Sequence, residues 1–166
     1  MTWKTMAGSV RSELDPILLH HGIGPIVFGD CHADVIAALG PNCEERTRPE
    51  GDVDLLYPGL GLEFTFWADC SQRLGIIKTL RPSATLLGRK LVGGSEDDIF
   101  RFVEVELRAV VTSHDGCIHE DESVQSWIEV DQLDLSFWFD DGRLHFIDWT
   151  CAWKVGDTPD WPRKSR

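Results

Sequence analysis

The sequence predicts an α+β fold in which helices pack on one face of an antiparallel sheet, or of two abutting sheets. The fold is built from two similar helix-plus-β-hairpin units. The main observation is a repeated strand, because residues 62–67 (LEFTFW) are echoed by residues 133–138 (LDLSFW). Each copy returns through a similar second strand, RLGII at 73–77 and RLHFI at 143–147. Hairpins that pair locally, with helical patterns between them, are typical of α+β folds, and a repeat of this size indicates a duplicated supersecondary unit.

The first unit is predicted over about residues 26–80. A helix at 10–20 precedes it, with Leu14, Ile17 and Leu18 on one side. A short strand at 26–28 ends at Gly29, and Asp30 can cap the helix that follows. Gly40-Pro41 ends that helix, because glycine accepts a left-handed cap and proline cannot continue a helix. A polar loop is predicted at 41–52, followed by strands at about 53–57, 61–68 and 73–80.

The second unit is predicted over about residues 90–150. Residues 90–93 and 98–100 repeat, more weakly, the strand and helix start of the first unit. A helix from Ser95 fits the apolar spacing, although residues 102–107 also alternate like a strand. Strands follow at about 124–130, 133–139 and 143–153. Residues 1–155 are therefore interpreted as one α+β domain with an internal repeat, and residues 156–166 as a flexible tail.

Charge and composition restrict the possible partners. The formal net charge is −12, which repels nucleic-acid phosphates and anionic lipid head groups but favours encounter with a basic protein, or simply keeps the chain soluble. No apolar run approaches the roughly 20 residues of a membrane span. The N-terminus does not read as a secretory signal, and five cysteines, an odd number, suit a reducing compartment. A cytoplasmic protein that binds neither nucleic acid nor membrane is expected.

The repeated strand also supplies the candidate binding residues. Along each copy, Leu and Phe point to one face, while an acid, a hydroxyl and a tryptophan point to the other, because side chains alternate along a strand. Tryptophan gives a large contact area with a polar group and is enriched in binding hot spots, although it can equally pack beneath the protein's own segments. The predicted partner-binding residues are Glu63, Trp67, Trp127, Glu129, Asp134 and Trp138.

No motif for catalysis or for a cofactor is found. Cys31-His32 and Cys117-x-His119 match no zinc spacing, and the serines lie in no nucleophile elbow. The glycines at 22–24 and 59–61 do not form a phosphate-binding pattern. We therefore predict no metal, no cofactor and no enzymatic activity. A small α+β enzyme that uses acidic residues, with or without a divalent metal, stays an alternative, because carboxylates are plentiful.

The opening of the chain resembles that of small bacterial immunity proteins of contact-delivered toxin systems. The resemblance lies in residues 22–29 (GIGPIVFG), 34–36 (DVI) and 39–41 (LGP), where a strand ending in glycine leads into a helix that ends at Leu-Gly. It implies a cytoplasmic protein that neutralises a cognate toxin by binding it. Together with the charge, it predicts a basic toxin domain, possibly a nuclease, as the partner. A regulatory protein-binding module is the other alternative.

Overall fold

The structure, a computed structural model, describes residues 13–114, 125–154 and 158–162. The predicted α+β class is wrong, because the protein is mostly β, with 48% strand and 20% helix, and is dominated by an eight-stranded sheet rather than by helices packed on a sheet face. Within these residues there are two short α-helices, α1 (His32–Leu39) and α2 (Glu96–Phe102), and α2 continues into a π-helical turn at Val103–Leu107. The helices bury only Val35, Ile99 and Phe102, so they contribute a small part of the core.

The large sheet is a pair of antiparallel meanders joined edge to edge. Its order is β10-β11-β12-β13-β7-β6-β5-β4, so that each half follows the chain and the halves meet only where β13 pairs with β7. The strands are β4 (Glu44–Thr47), β5 (Val53–Tyr57), β6 (Leu62–Trp67), β7 (Arg73–Thr79), β10 (Thr112–His114), β11 (Gln125–Val130), β12 (Leu135–Asp140) and β13 (Arg143–Thr150).

The remaining strands are short and form small sheets of their own. A three-stranded sheet and two hairpins flank the large sheet. Their strands are β1 (Ile17–Leu18), β2 (Gly22–Ile23), β3 (Ile26–Val27), β8 (Thr85–Leu86), β9 (Arg89–Lys90), β14 (Ala152–Lys154) and β15 (Thr158–Asp160).

The two halves join helix to hairpin in the same way. Cys31, which precedes α1, bridges to Arg73 at the start of β7, and Ser95, which precedes α2, bridges to Arg143 at the start of β13. The backbone of Leu74 exchanges hydrogen bonds with Gly29 and Asp30, and Leu144 does the same with Gly93 and Gly94. The first helix begins with a capping box, in which the Asp34 carboxylate accepts from the backbone N–H of Cys31. At the start of the second, the Ser95 hydroxyl accepts from the backbone N–H of Asp98 and donates to the Asp98 carboxylate. The halves therefore repeat the order of their elements and their main joint.

The repeated hexapeptides do not occupy equivalent positions, however. A β-bulge lies between Thr65 and Phe66 in the first hairpin and between Trp138 and Phe139 in the second. The strand ends pair as Trp67 with Arg73, across five residues, and as Asp140 with Arg143, across two. Because the first turn is three residues longer, Trp138 is the counterpart of Thr65, and Trp67 is the counterpart of Asp140.

Alternation along the strands gives the large sheet a buried inner face and an outer face. Phe64, Ile77, Phe137 and Trp149 are among the inner-face residues, all 0% exposed. The inner face joins one hydrophobic cluster with residues from the N-terminal segment, such as Phe28, and from the connection between β7 and α2. Short strands and loops thus provide much of the apolar cover that the sequence assigned to helices.

Three further predictions differ from the structure. The helix expected at 10–20 does not continue through its described part, where Glu13 is helical but Ile17–Leu18 form β1. The loop expected at 41–52 contains the edge strand β4, whose residues are all exposed. Within the tail expected at 156–166, β15 pairs with β14, and the ring of Trp161 packs against Gly29. The last two predictions are wrong because both segments are polar in sequence, and neither strand has the apolar face that would indicate a strand.

Candidate functional site

The outer face carries a row of four stacked aromatic rings across β10, β11, β12 and β13. His114, Trp127, Trp138 and Phe146 come from four successive strands, and we call them the aromatic ladder. Neighbouring ring centroids are 4.8, 5.0 and 5.4 Å apart, with interplanar angles of 18°, 16° and 17°. These spacings are close to the distance between neighbouring strands, about 4.8 Å, so the rings stand upright from the sheet, one per strand. All four side chains are half-buried.

The ring faces and indole N–H groups of the aromatic ladder already contact neighbours within the protein. Each inner ring has a neighbour on both faces, and the Nζ of Lys78 lies 4.1 Å from the centroid of the Phe146 ring. The indole N–H of Trp127 donates to Glu129 at 3.1 Å, and that of Trp138 donates to Asp148 at 2.9 Å. A partner therefore meets ring edges rather than free ring faces or free indole donors. Such cross-strand aromatic pairs stabilise a sheet by about 0.5–1.5 kcal/mol each.

A polar row runs beside the ladder on the same face. Glu63, Lys78, Asp148, Ser136 and Glu129 are consecutive cross-strand partners. Lys78 pairs with Glu63 at 3.2 Å. Burial raises the pKa of Asp148 to about 6, although hydrogen bonds from Ser136 and Trp138 and the charge of Lys78 act in the opposite direction. The row is thus dominated by carboxylates, with Lys78 its one cation.

A cluster of three tryptophans lies at the other end of the outer face. Trp67 lies over Gly75, where a Cβ atom would come within 2.1 Å of the indole ring. Trp153 of β14 stacks on Trp67 with 5.2 Å between ring centroids, and Trp161 lies 6.2 Å from Trp67. Glycine at position 75 is therefore needed for the close approach of Trp67 to its own strand pair. Trp67 is a packing residue that the C-terminal segment partly covers.

Two acidic concavities lie on either side of Trp153. The first, of about 280 Å³, includes Glu129, Asp131, Asp134 and Asp148 in its lining. The second, of about 350 Å³, includes Glu50, Asp52 and Asp69, together with Trp67. Trp153 lines both and is 44% exposed. Neither concavity has a lysine or arginine among the described residues that line it.

The structure brings together most of the predicted partner-binding residues, with two exceptions. Glu63, Trp127, Glu129 and Trp138 lie on the outer face, as their alternation predicts. Trp67 is also on this face but is stacked beneath Trp153. Asp134 is not in a strand, because the chain makes a 3-10 turn at Asp131–Leu133 and β12 begins only at Leu135. The carboxylate of Asp134 lies 3.9 Å from His20, and burial raises its pKa.

Sequence reasoning missed Trp153, Asp148 and Lys78. Asp148 and Lys78 become neighbours only through the pairing of β13 with β7, which joins segments 70 residues apart. Trp153 follows the second repeat and has no counterpart in the first. A usable signal was present for Trp153, because it lies within a short stretch, 149–161, that holds three of the seven tryptophans.

The site shows no arrangement for metal chemistry. Within the ranges that the structure covers, no three histidine, cysteine, aspartate or glutamate side chains are grouped to hold a metal ion. Cys117 and His119 lie outside the described residues. The other four cysteines are free thiols. None of the helices in the described ranges is long and apolar enough to cross a membrane.

Comparison with known proteins gives no relative. The chain matches no protein-family model, no curated protein and no solved structure.

Proposed function

We propose that the chain is an immunity-type inhibitor, a cytoplasmic protein that binds a basic toxin domain through the outer face of its sheet. The toxin is expected to be a bacterial protein encoded beside it, possibly a nuclease. The expected mode of action is binding, without catalysis and without a cofactor.

One observation carries the proposal. The described part of the outer face presents half-buried aromatic rings beside carboxylates, whereas the inner face of the same sheet is fully buried in the core. Aromatic area surrounded by charged groups is the usual composition of a protein interface. The net charge of −12 steers a basic partner toward this surface and disfavours nucleic acid. Binding surfaces of this kind need no reactive group, in agreement with the absence of a catalytic motif in the sequence.

The test is co-expression with the product of the adjacent gene. A bacterial host that expresses that product should grow only when this chain is present, and the two purified proteins should bind one to one. Affinity should fall as salt concentration rises, because exposed charges are screened beyond about 8 Å at physiological ionic strength. An adjacent product that is harmless, or that is toxic but neither bound nor neutralised, contradicts the proposal.

A substitution on the ladder tests the surface itself. Trp127→Ala should weaken binding severalfold, because it removes one of the two middle rings of the ladder and the ring edge that a partner would contact. Val110→Ala is the matched control, since Val110 is 71% exposed and lies outside the strands. Thermal unfolding of each variant separates lost contact from lost folding. Equal affinity for both variants would move the interface away from the ladder.

A further inference from the structure

We propose that Trp153 is the principal contact of the outer-face interface, and that each of the two acidic concavities beside it accepts one lysine or arginine side chain of the partner. The inference rests on the proposed function, which it deepens by naming the groups that recognise the basic protein.

Trp153 has the properties of a binding hot spot that the ladder tryptophans lack. The residue is 44% exposed, whereas Trp127 and Trp138 are half-buried, with their ring faces and indole donors engaged by neighbours. Stacking on Trp67 at 5.2 Å, and the pairing of β14 with β15, hold the ring in place. A large side chain that is ordered before binding loses little conformational entropy when a partner covers it.

The carboxylates that line the first concavity favour the binding of a cation. They come from β11, from the following turn and from β13, and Ser136 and Thr150 also line the concavity. Part of this charge already has neighbours, since Glu129 contacts His114 at 2.9 Å and Asp134 lies near His20. Asp131 is exposed at the rim. A partner's guanidinium or ammonium would find several acceptors here without a competing lysine or arginine from the described lining.

In the second concavity, indole rings as well as carboxylates favour the binding of a cation. Two stacked indoles, Trp67 and Trp153, form one part of its lining, and Glu50, Asp52 and Asp69 lie around them. Asp52 is held by a 2.8 Å hydrogen bond from the backbone N–H of Ala68. An arginine or lysine over an indole face gains about 0.5–2 kcal/mol, and the carboxylates add to this attraction. The arrangement is complementary to a basic segment that places two cations around one tryptophan.

The contrast with a third concavity supports this assignment. That concavity lies beside α2, and its lining holds three cations, Arg89, Lys90 and Arg101, against two carboxylates, Asp98 and Glu106. The concavities beside Trp153 are thus selectively acidic, beyond the average acidity of the chain. Net charge alone would spread a basic partner over the whole surface, whereas this distribution directs it to Trp153.

The experiment uses hexa-arginine as the probe, with hexa-glutamate as its negative counterpart, and titration calorimetry on the full chain. Glu50→Gln combined with Asp131→Asn removes one charge from each concavity and should weaken hexa-arginine binding about tenfold. Glu44→Gln combined with Glu104→Gln changes the net charge equally, at exposed positions that line neither concavity. Equal weakening by the two pairs would overturn the inference, because only net charge would then matter.

Trp153 itself is tested with two substitutions. Trp153→Ala should weaken hexa-arginine binding about fivefold or more, and Trp153→Phe should restore much of it, because phenylalanine keeps a ring face for the cation. If Trp153→Ala binds like the unaltered chain, the assignment of Trp153 is wrong. Thermal unfolding by circular dichroism shows whether the alanine variant is folded, and the phenylalanine variant keeps the test valid if it is not.

The two proposals fail in different ways. If the adjacent gene product binds tightly but the Trp153→Ala and concavity variants bind it as the unaltered chain does, only this inference is overturned. If that product does not bind, while hexa-arginine distinguishes the concavity pair from its control, the proposed toxin is wrong and the cation sites stand.

Discussion

Replacing Asp148 by asparagine should stabilise the protein at neutral pH. The carboxylate lies on the outer face between Lys78 and Ser136, and burial raises its pKa from 3.8 to about 6. The folded pKa is above the unfolded one, so folding favours the protonated form. The ionised carboxylate therefore destabilises the folded state. This destabilisation is complete above pH 6, decreases as the pH falls from 6 to 3.8, and is absent below pH 3.8.

The size of the effect follows from the shift. The rise in the pKa of Asp148 from 3.8 to about 6 corresponds to a destabilisation of at most about 3 kcal/mol, because a tenfold change in proton affinity is worth about 1.36 kcal/mol. Water reaches the half-buried side chain and reduces this value, and asparagine gives up the attraction of Lys78. Asparagine keeps an acceptor for the indole N–H of Trp138. We expect Asp148→Asn to gain about 1–2 kcal/mol at pH 7.5 and little at pH 4.

Urea unfolding at several pH values, followed by far-UV circular dichroism, measures this gain as a difference between variant and unaltered chain. Asp98→Asn is the control with the opposite sign. A hydrogen bond from Ser95 lowers the pKa of Asp98, so its ionised form stabilises the fold at neutral pH and this contribution is lost as pH falls. A destabilising effect of Asp148→Asn at pH 7.5, or an equal effect at pH 4, would show that ionised Asp148 does not destabilise the fold.

Three further substitutions or labels probe the packing. Gly75→Ala should cost roughly 3 kcal/mol or more in urea unfolding, because its Cβ would overlap the ring of Trp67, whereas Gly142→Ala, with φ of 71° and open space around it, should cost about 1 kcal/mol. Similar costs at both positions would contradict the overlap. Asp54→Ala should cost about 2–4 kcal/mol by the same assay, since it leaves the buried hydroxyl of Thr65 and the half-buried guanidinium of Arg48 without their acceptor, and a cost below about 1 kcal/mol would refute this. Cys151 is 0% exposed and burial raises its pKa to about 12, so peptide mapping should find this residue labelled by a thiol reagent only after unfolding, and labelling of Cys151 in the native protein would disprove its burial.

The strands and their faces could be predicted because alternation is a local property. The strand at 53–57 has the predicted bounds, and Leu62, Phe64 and Phe66 lie on the inner face as expected. The helix start at Ser95 was also predictable, since an N-cap serine followed by an acid three residues later is a local pattern. These features depend on neighbours within a few residues.

The fold class could not be predicted because it depends on what covers the sheet. Residues 10–20 have helical spacing, yet Ile17 pairs with Ile23 in a small sheet, so tertiary packing overrides local preference. The edge strand β4, Glu44–Thr47, is exposed on both sides and has no alternation of apolar and polar residues. Short strands of this kind carry too little pattern to be distinguished from loops.

The candidate site was only partly predictable for a similar reason. Alternation placed Trp127 and Trp138 on the correct face, but it could not show that their rings stack on each other. The three-residue difference between the hairpin turns also changed which residues are equivalent, so that Trp67 and Trp138 have different surroundings. Trp153 reaches the face through a strand that follows the repeat, and its proximity to Trp67 depends on the fold of the whole sheet.

The joint between β7 and β13 has a consequence for the order in which the protein folds. Within each meander, successive strands pair across short connections, whereas Ile77 and Trp149 must meet across more than seventy residues of chain. The entropy of loop closure grows with the length of chain enclosed, and non-local pairings slow folding. The first meander can therefore form on the ribosome before the second is synthesised, with the edge of β7 open until β13 arrives. During that interval this edge can pair with another copy of the nascent chain.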